Sequence, residues 1–497
     1  MNIFKTKNNS KQKGFLLIGV MIFAAISILT ITAVISWAAA SGRLSRKIQS
    51  REVSLQIAEA GIEYARWYLA HYQTGYTLGN VGAGPYVYPF NDKDGNQIGS
   101  YTLTVTPPLS GSTLVKIKSK GATLIDPTAT RSINVHLAIP SLAKYSVLAN
   151  SDMRFGEGTV VYGPIHSNGG IRFDGVIWNK ITSSKTSYSD PDHTGSNEFG
   201  VHTHVNSGST TVNDSYRPGE APPSSVPNRS DVFKAGREFP VPAADFTGIT
   251  NDLATIKAQA IASGRYFASS GYQGYQIILK TNDTFDLYRV TSLAAAPSGC
   301  SNVGTDTNWG TWSIGNKTFI ANYAIPANGL IFAEDHIWVE GTINTARVTI
   351  AAARFPDNSS LRKSITINNA LRYTNYNGSD VIALIAQDDI NIGLFSADTF
   401  QIDAALIAQN GRVGRHYYLP PTNGAGTNKC GSTVYRNSVT LFGMIATNLR
   451  YGFAYTDDTG YENRIINYDT NLLYAPPPNF PLASDKYQII LWEELEN

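Results

Sequence analysis

Charge is scarce in this chain: Asp, Glu, Lys and Arg make up 16% of the 497 residues, and the formal net charge is +2. No strong field exists to recruit a polyanion, so nucleic acid is not an expected partner. Cysteine is almost absent. The two that occur, Cys300 and Cys430, cannot form a zinc site without other ligands. Both lie in Gly-, Ser-, Thr- and Asn-rich segments. A disulfide between them suits an oxidising exterior, with two unrelated thiols as the alternative. No Walker loop, nucleophile elbow or HExxH motif is present, which removes the commonest nucleotide, hydrolase and metalloprotease signatures. No long helical pattern interrupts residues 330–452, which disfavours an α/β sheet. What the chain has instead is Tyr (27), Gly (43) and many short polar turns, a composition common in extracellular β-proteins.

The N-terminal segment is the most informative. Lys5, Lys7, Lys11 and Lys13 precede Gly14, and from Phe15 to Ala40 there is no charge. That run is long enough to span a bilayer as a helix, which needs about 20 apolar residues. The basic leader favours a cytoplasmic N-terminus, although Arg43, Arg46, Lys47 and Arg51 on the far side weaken the bias. The helix is expected to continue past the membrane. Leu44, Ile48, Leu55, Ala58, Ile62, Ala65 and Leu69 form an apolar stripe at helical spacing, with Arg51 its one polar member. A helix over residues 15–72 is about 85 Å long at 1.5 Å per residue. The stripe needs a partner, either neighbouring helices or the chain's own β-domain.

The run Lys11-Gln-Lys13-Gly14-Phe15-Leu-Leu-Ile18 resembles a type IV prepilin leader, and Gln56-Ile-Ala-Glu59-Ala-Gly-Ile-Glu63 resembles the helix of PilX-type minor pilins. The resemblance covers roughly the first 70 residues. It implies cleavage between Gly14 and Phe15 by a prepilin peptidase and methylation of Phe15. It also implies association with other pilins or minor pilins. Pilins usually carry Glu at the fifth mature position, and Gly19 stands there, a departure that some PilX-type proteins share. The alternative is a plain signal-anchor with a chance Gly-Phe pair. From Gly329 onward, Ile337-Trp-Val-Glu-Gly341, Val348-Thr-Ile-Ala-Ala352 and Ala404-Ala-Leu-Ile-Ala-Gln409 resemble a domain of unknown function found behind PilX-like N-termini, which implies no activity.

Beyond the helix, Ser100–Thr106 and Thr113–Ser119 alternate with period two and predict a small β unit over 73–140. A motif then recurs: an apolar residue, any residue, Ala or Ser, a polar residue, two turn residues, then alternating apolar residues. It starts at Val147, Ile165, Ile331, Leu384 and, more loosely, Leu406, with a trace at Met444. Spacings of 18 and 22 residues are coil lengths of a parallel β-solenoid. Its polar position would stack Asn150, Asn168, Glu334, Gln387 and Gln409 at one corner, where amides can bond up and down a ladder. A sandwich of hairpins is the alternative.

The expected organisation is a leader (1–14), the N-terminal helix (15–72, membrane segment 15–40), the small β unit (73–140), first solenoid coils (141–178), an insertion (179–329), and later coils with a C-terminal tail (330–497). The insertion carries Ser/Pro/Gly-rich loops, a helix at 252–262 and a hairpin around Thr281-Asn-Asp283. The fold class is therefore mainly β, with one long, partly transmembrane helix.

Candidate chemistry is thin. His202-Thr-His204 can place two imidazoles on one face of a strand, but no third ligand is fixed, so His193, His202 and His204 read as surface histidines and His166 as a solenoid turn residue. No metal or cofactor is expected. Asp92, Asp94 and Asn96 imitate part of a calcium loop without its bidentate Glu. Asp388, Asp389, Asp398 and Asp403 could line successive coils as glycosidase-like carboxylates, and turn-capping is their simpler role. The expectation is a non-enzymatic, minor-pilin-like structural component of a surface filament, serving assembly priming or adhesion. A membrane-anchored adhesin binding surface glycans, outside any filament, is the second reading, and a solenoid carbohydrate-active enzyme the third.

Overall fold

The computed structural model describes residues 13–109, 111–192, 195–207, 219–298, 300, 310–421, 429–483 and 485–495. The leader residues 1–12 and His193 lie outside them. The described chain divides into two compact units, one of residues 13–107, 115–137 and 489–495, the other of 108–114 and 138–488.

In the first unit, helix α1 runs Lys13–His71 without a break, 59 residues. Strands β1 (Tyr86–Asn91), β2 (Gln97–Thr106), β3 (Val115–Thr123) and β4 (Arg131–Ala138) form an antiparallel meander. β3 alternates strictly, with Val115, Ile117, Ser119 and Gly121 buried and Lys116, Lys118 and Lys120 exposed. Its buried side faces α1, where Ser54, Ala58, Gly61, Ile62, Ala65 and Leu69 recur at helical spacing. Helix and sheet approach closely because both offer glycine. A Cβ on Gly121 would lie 2.0 Å from the Ser54 carbonyl oxygen, and one on Gly61 2.5 Å from Ser119 Oγ. A fifth strand, Gln488–Leu495, joins the sheet beside β4, held by an Arg131–Glu494 ion pair and by Asn134 Nδ2 donating to Glu493 Oε1 at 2.7 Å. This strand falls in the segment expected to be the tail of 330–497. Its mostly exposed side chains carry little of the alternation that marks β3.

The second unit is a three-faced stack of parallel coils. On the first face the spatial order of strands is Arg265–Phe267, Leu330–Ala333, Arg347–Ala352, Val381–Ala386, 405–408, 445–447, Val147–Ala149, Ile165–Ser167, Ile181–Ser183 and Arg237–Glu238. Every neighbour is parallel and in register. One internal ladder therefore runs Ile331, Ile350, Leu384, Leu406, Ile445, Val147, Ile165, Ile181, all buried. Two residues on, Ala333, Ala352, Ala386, Ala408 and Ala149 align with Thr447 and Ser167, and these small side chains leave room for the corner.

The outward residues of this face are covered as well. Phe332, Ile385, Ile407 and Leu148 pack under helix α2 (Thr247–Ser263), which presents Leu253, Ile256 and Ala260, and under Leu472 and Phe480 of the tail. Burial on both sides explains why Val381–Ala386 is apolar at every position.

The coils do not stack in chain order. Residues 445–447 lie against 147–149, so the last coil is seated on the first. The segment 179–329, read as an insertion between early and late coils, instead supplies strands to both ends of the stack. Its strand Ile181–Ser183 continues past Ile165, while Arg265–Phe267 and Gly274–Leu279 precede Leu330 and Ile337. The expected hairpin is present, Gly274–Leu279 pairing antiparallel with Thr284–Leu293.

Candidate functional site

The first candidate is α1 itself. Phe15 is 82% exposed, and Leu16, Ile18, Phe23, Leu29, Val34 and Trp37 are also exposed. By length and composition this part of the helix can cross a membrane. The expected stripe divides. Ala58, Ile62, Ala65 and Leu69 are buried against the sheet, and Leu55 is half-buried. Leu44 and Ile48 stand exposed at 61% and 53%. The covered surface begins only at Ser50 and Ser54, where Ser54 Oγ donates to the Ala129 carbonyl at 2.5 Å. Ile57 and Gly61, absent from the expected stripe, belong to it. Gly14 lies in the first turn of α1, and Gly19 has open space where a side chain would be.

The polar ladder forms in part. Asn168 Nδ2 donates to Asn150 Oδ1 at 2.8 Å, and Asn150 Nδ2 to Asn448 Oδ1 at 2.9 Å. Asn448 continues the line to the Asn410 carbonyl, and Asn410 to that of Gln387. Gln387 and Gln409 occupy the aligned position, and Gln387 binds the backbone of Arg354 and the Asp357 carboxylate. Glu334 leaves the ladder for an ion pair with Lys257 of α2. A carboxylate cannot donate to the next rung, so a cation satisfies it instead. Cys300 and Cys430 are joined as a disulfide, closing 130 residues of chain.

The remaining candidates separate cleanly. Asp92 accepts from the backbone N–H groups of Asp94 and Asn96 at 2.9 Å each, the bonding of a tight turn. Asp389 accepts from Arg412 N, Asp398 from Asn437 N, and Asp403 from Tyr373 N and the Tyr376 hydroxyl. Each of these three binds turn or strand groups of a neighbouring coil. His166, read as a turn residue, is a buried mid-strand residue between Thr182 Oγ1 (3.0 Å) and Asn168 Oδ1 (3.1 Å). His202 and His204 are fully buried, not on the surface.

A second candidate was not legible in the sequence. The second face is interrupted. Val413–Arg415 ends in a single bridge to Gly452, while Met153–Phe155 begins a separate ladder with Ile171–Phe173 and Val201–His202. A cleft of about 1110 Å³ opens there, lined by Arg154, Arg412, Arg450, Tyr435, Tyr451 and Tyr455 among others. Its five arginines are offset by five carboxylates, so the cleft is polar without net charge. Burial pushes the Tyr451 phenol well above its usual range and raises that of Tyr461. The Tyr451 hydroxyl has no hydrogen-bond partner among the described residues. The only sequence signal for this gap was the decay of the repeat after Met444.

The geometry is that of an apolar, membrane-length helix whose distal half carries an antiparallel sheet, joined in one chain to a stack of parallel coils. No protein-family model matches the chain, and no curated protein matches it. Among solved structures, the competence-associated pilin ComZ from Thermus thermophilus aligns over 90% of this chain and 98% of its own, at 12% identity and a TM-score of 0.29. A score that low carries no argument about fold or function.

Proposed function

We propose that this chain is a minor, pilin-like structural component of a type IV pilus or related filament, without enzymatic activity. In this reading a prepilin peptidase cleaves between Gly14 and Phe15, and Phe15 is methylated. The proximal part of α1 sits first in the membrane and then among other pilins, with the parallel stack displayed outside the cell. The carrying observation is the division of α1: apolar side chains are exposed from Phe15 to Ile48, and a narrow stripe is buried on the sheet from Ser54 to Leu69. A plain anchor needs the first and has no use for the second. Mass spectrometry of the N-terminal peptide from native membranes tests the reading. Methylated Phe15 is the expected mature terminus, and an intact Met1 in membrane-embedded protein sinks it.

The tyrosine-lined cleft, whose charges balance, favours a second reading, an adhesive domain for neutral surface glycans. Aromatic faces and paired planar polar groups suit sugar rings better than a polyanion. Glycan-array binding that falls at least tenfold in Tyr455→Ala and Tyr435→Ala supports it. Binding unchanged by both variants removes the cleft from that role.

A further inference from the structure

We propose that Asp190, His202 and His204 form a buried binding site for a tetrahedral divalent cation, with zinc as the metal that the donor set suits. One ligand atom from each residue lies within 4.8 Å of the others. Two imidazoles and a carboxylate are borderline and hard donors that zinc accepts, at about 2.0–2.2 Å from the metal. Three such donors need only a small inward shift to close around it. The sequence offered the two histidines; the fold adds the third ligand by bringing Asp190 within reach of both.

The site is aimed inward. His202 is fully buried, and neither ring nitrogen has a hydrogen-bond partner among the described residues. Its Nε2 stands 3.5 Å from Asp190 Oδ2, beyond ordinary hydrogen-bond length. A buried imidazole with both nitrogens unmet costs free energy that a metal bond would recover. The His202 and His204 rings lie 5.1 Å apart between centroids. The other oxygen of Asp190 accepts from the Asp192 N–H at 2.9 Å, which fixes the carboxylate as a second-layer contact fixes a ligand.

Arg172 also faces the cluster: its Nη1 lies 3.7 Å from Asp190 and its Nε 2.6 Å from Asp174.

The placement gives the metal a role. Val201–His202 is the outermost described strand of its ladder and pairs only with Ile171 and Arg172. Between it and Ile181–Ser183 the chain leaves the stack through a hairpin of two two-residue strands, Ser187–Tyr188 and Glu198–Phe199. So short a hairpin is marginal alone. A cation held by Asp190 from the hairpin and by both histidines staples that excursion to the coil.

The test uses the full-length protein in detergent, purified without chelators, loaded with one equivalent of Zn2+ or Co2+ and desalted. About one zinc per chain is expected by mass-spectrometric metal analysis. The Co2+ form should show the intense visible d–d bands of a tetrahedral site. His202→Gln and His204→Gln should each lower bound metal at least tenfold, while His166→Gln, outside the cluster, leaves it unchanged. Wild-type circular dichroism in the variants guards against simple unfolding. Less than a tenth of an equivalent of metal in the wild type, or retention equal to wild type in both variants, overturns the site.

Discussion

The antiparallel sheet on α1 and the stack of parallel coils solve burial differently. The sheet is covered on one side, so β3 reads as alternating apolar and lysine residues. The first face of the stack is covered on both, so Val381–Ala386 offers no alternation. In the sheet, neighbours in sequence are neighbours in space apart from the C-terminal strand. In the stack, register selects neighbours, and Ile445 finds Val147. A one-sided sheet thus announces its orientation in the sequence, while a two-sided stack announces only its repeat.

That contrast can be attacked region by region, with stability read by hydrogen exchange on the full chain in detergent. Reducing the Cys300–Cys430 bridge should have the largest effect. Freeing a 130-residue loop costs up to about 5 kcal/mol in the chain-entropy limit, and protection should fall in the stack alone. Equal loss in β2 and β3 would contradict the separation of the units. Next, Leu384→Ala removes a rung of the internal ladder and should cost about 2–5 kcal/mol, whereas Lys118→Ala on the open side of β3 should stay within about 0.5 kcal/mol. Comparable effects would mean that burial does not distinguish the two regions.

Gly121→Ala tests the other unit. Its added methyl meets the backbone of α1, and a cost of about 3 kcal/mol is expected, confined to the sheet and residues 50–71. A neutral result would show that helix and sheet separate easily. The smallest effect is acid sensitivity of the stack at His416. Burial, with the Arg412 and Arg415 cations adding to it, pushes this imidazole down to about 3. The unfolded chain therefore binds the proton first as pH falls below about 6.5. Stability present above that value drains away towards pH 3, with about 2 kcal/mol gone by pH 5. His416→Phe should flatten that slope in denaturant titrations, and an unchanged slope would assign the acid loss to other groups.

Legibility followed physical cause. The span of α1, the period-two strands and the Ala-containing repeat could be read because each is a local pattern. The extent of the stripe could not. Leu44 and Ile48 have the right spacing, yet whether a surface is covered depends on where the sheet ends. Glu334 matched the ladder position in spacing, but a carboxylate lacks the donor that Asn150 and Asn168 use. The cleft and Asp190 depend on contacts between distant segments, which no window of sequence contains.

The seating of the last coil on the first has a consequence in time. Asn150 and Asn448 are 298 residues apart, so the surface on which residues 147–149 rest does not exist until the ribosome has added that length of chain. At about 5–20 residues per second, the opening coils wait on the order of 15–60 s for their neighbour. A nascent chain with such an appointment has to be kept from pairing elsewhere, and stalled or truncated products should aggregate through the bare edge of Val147–Ala149.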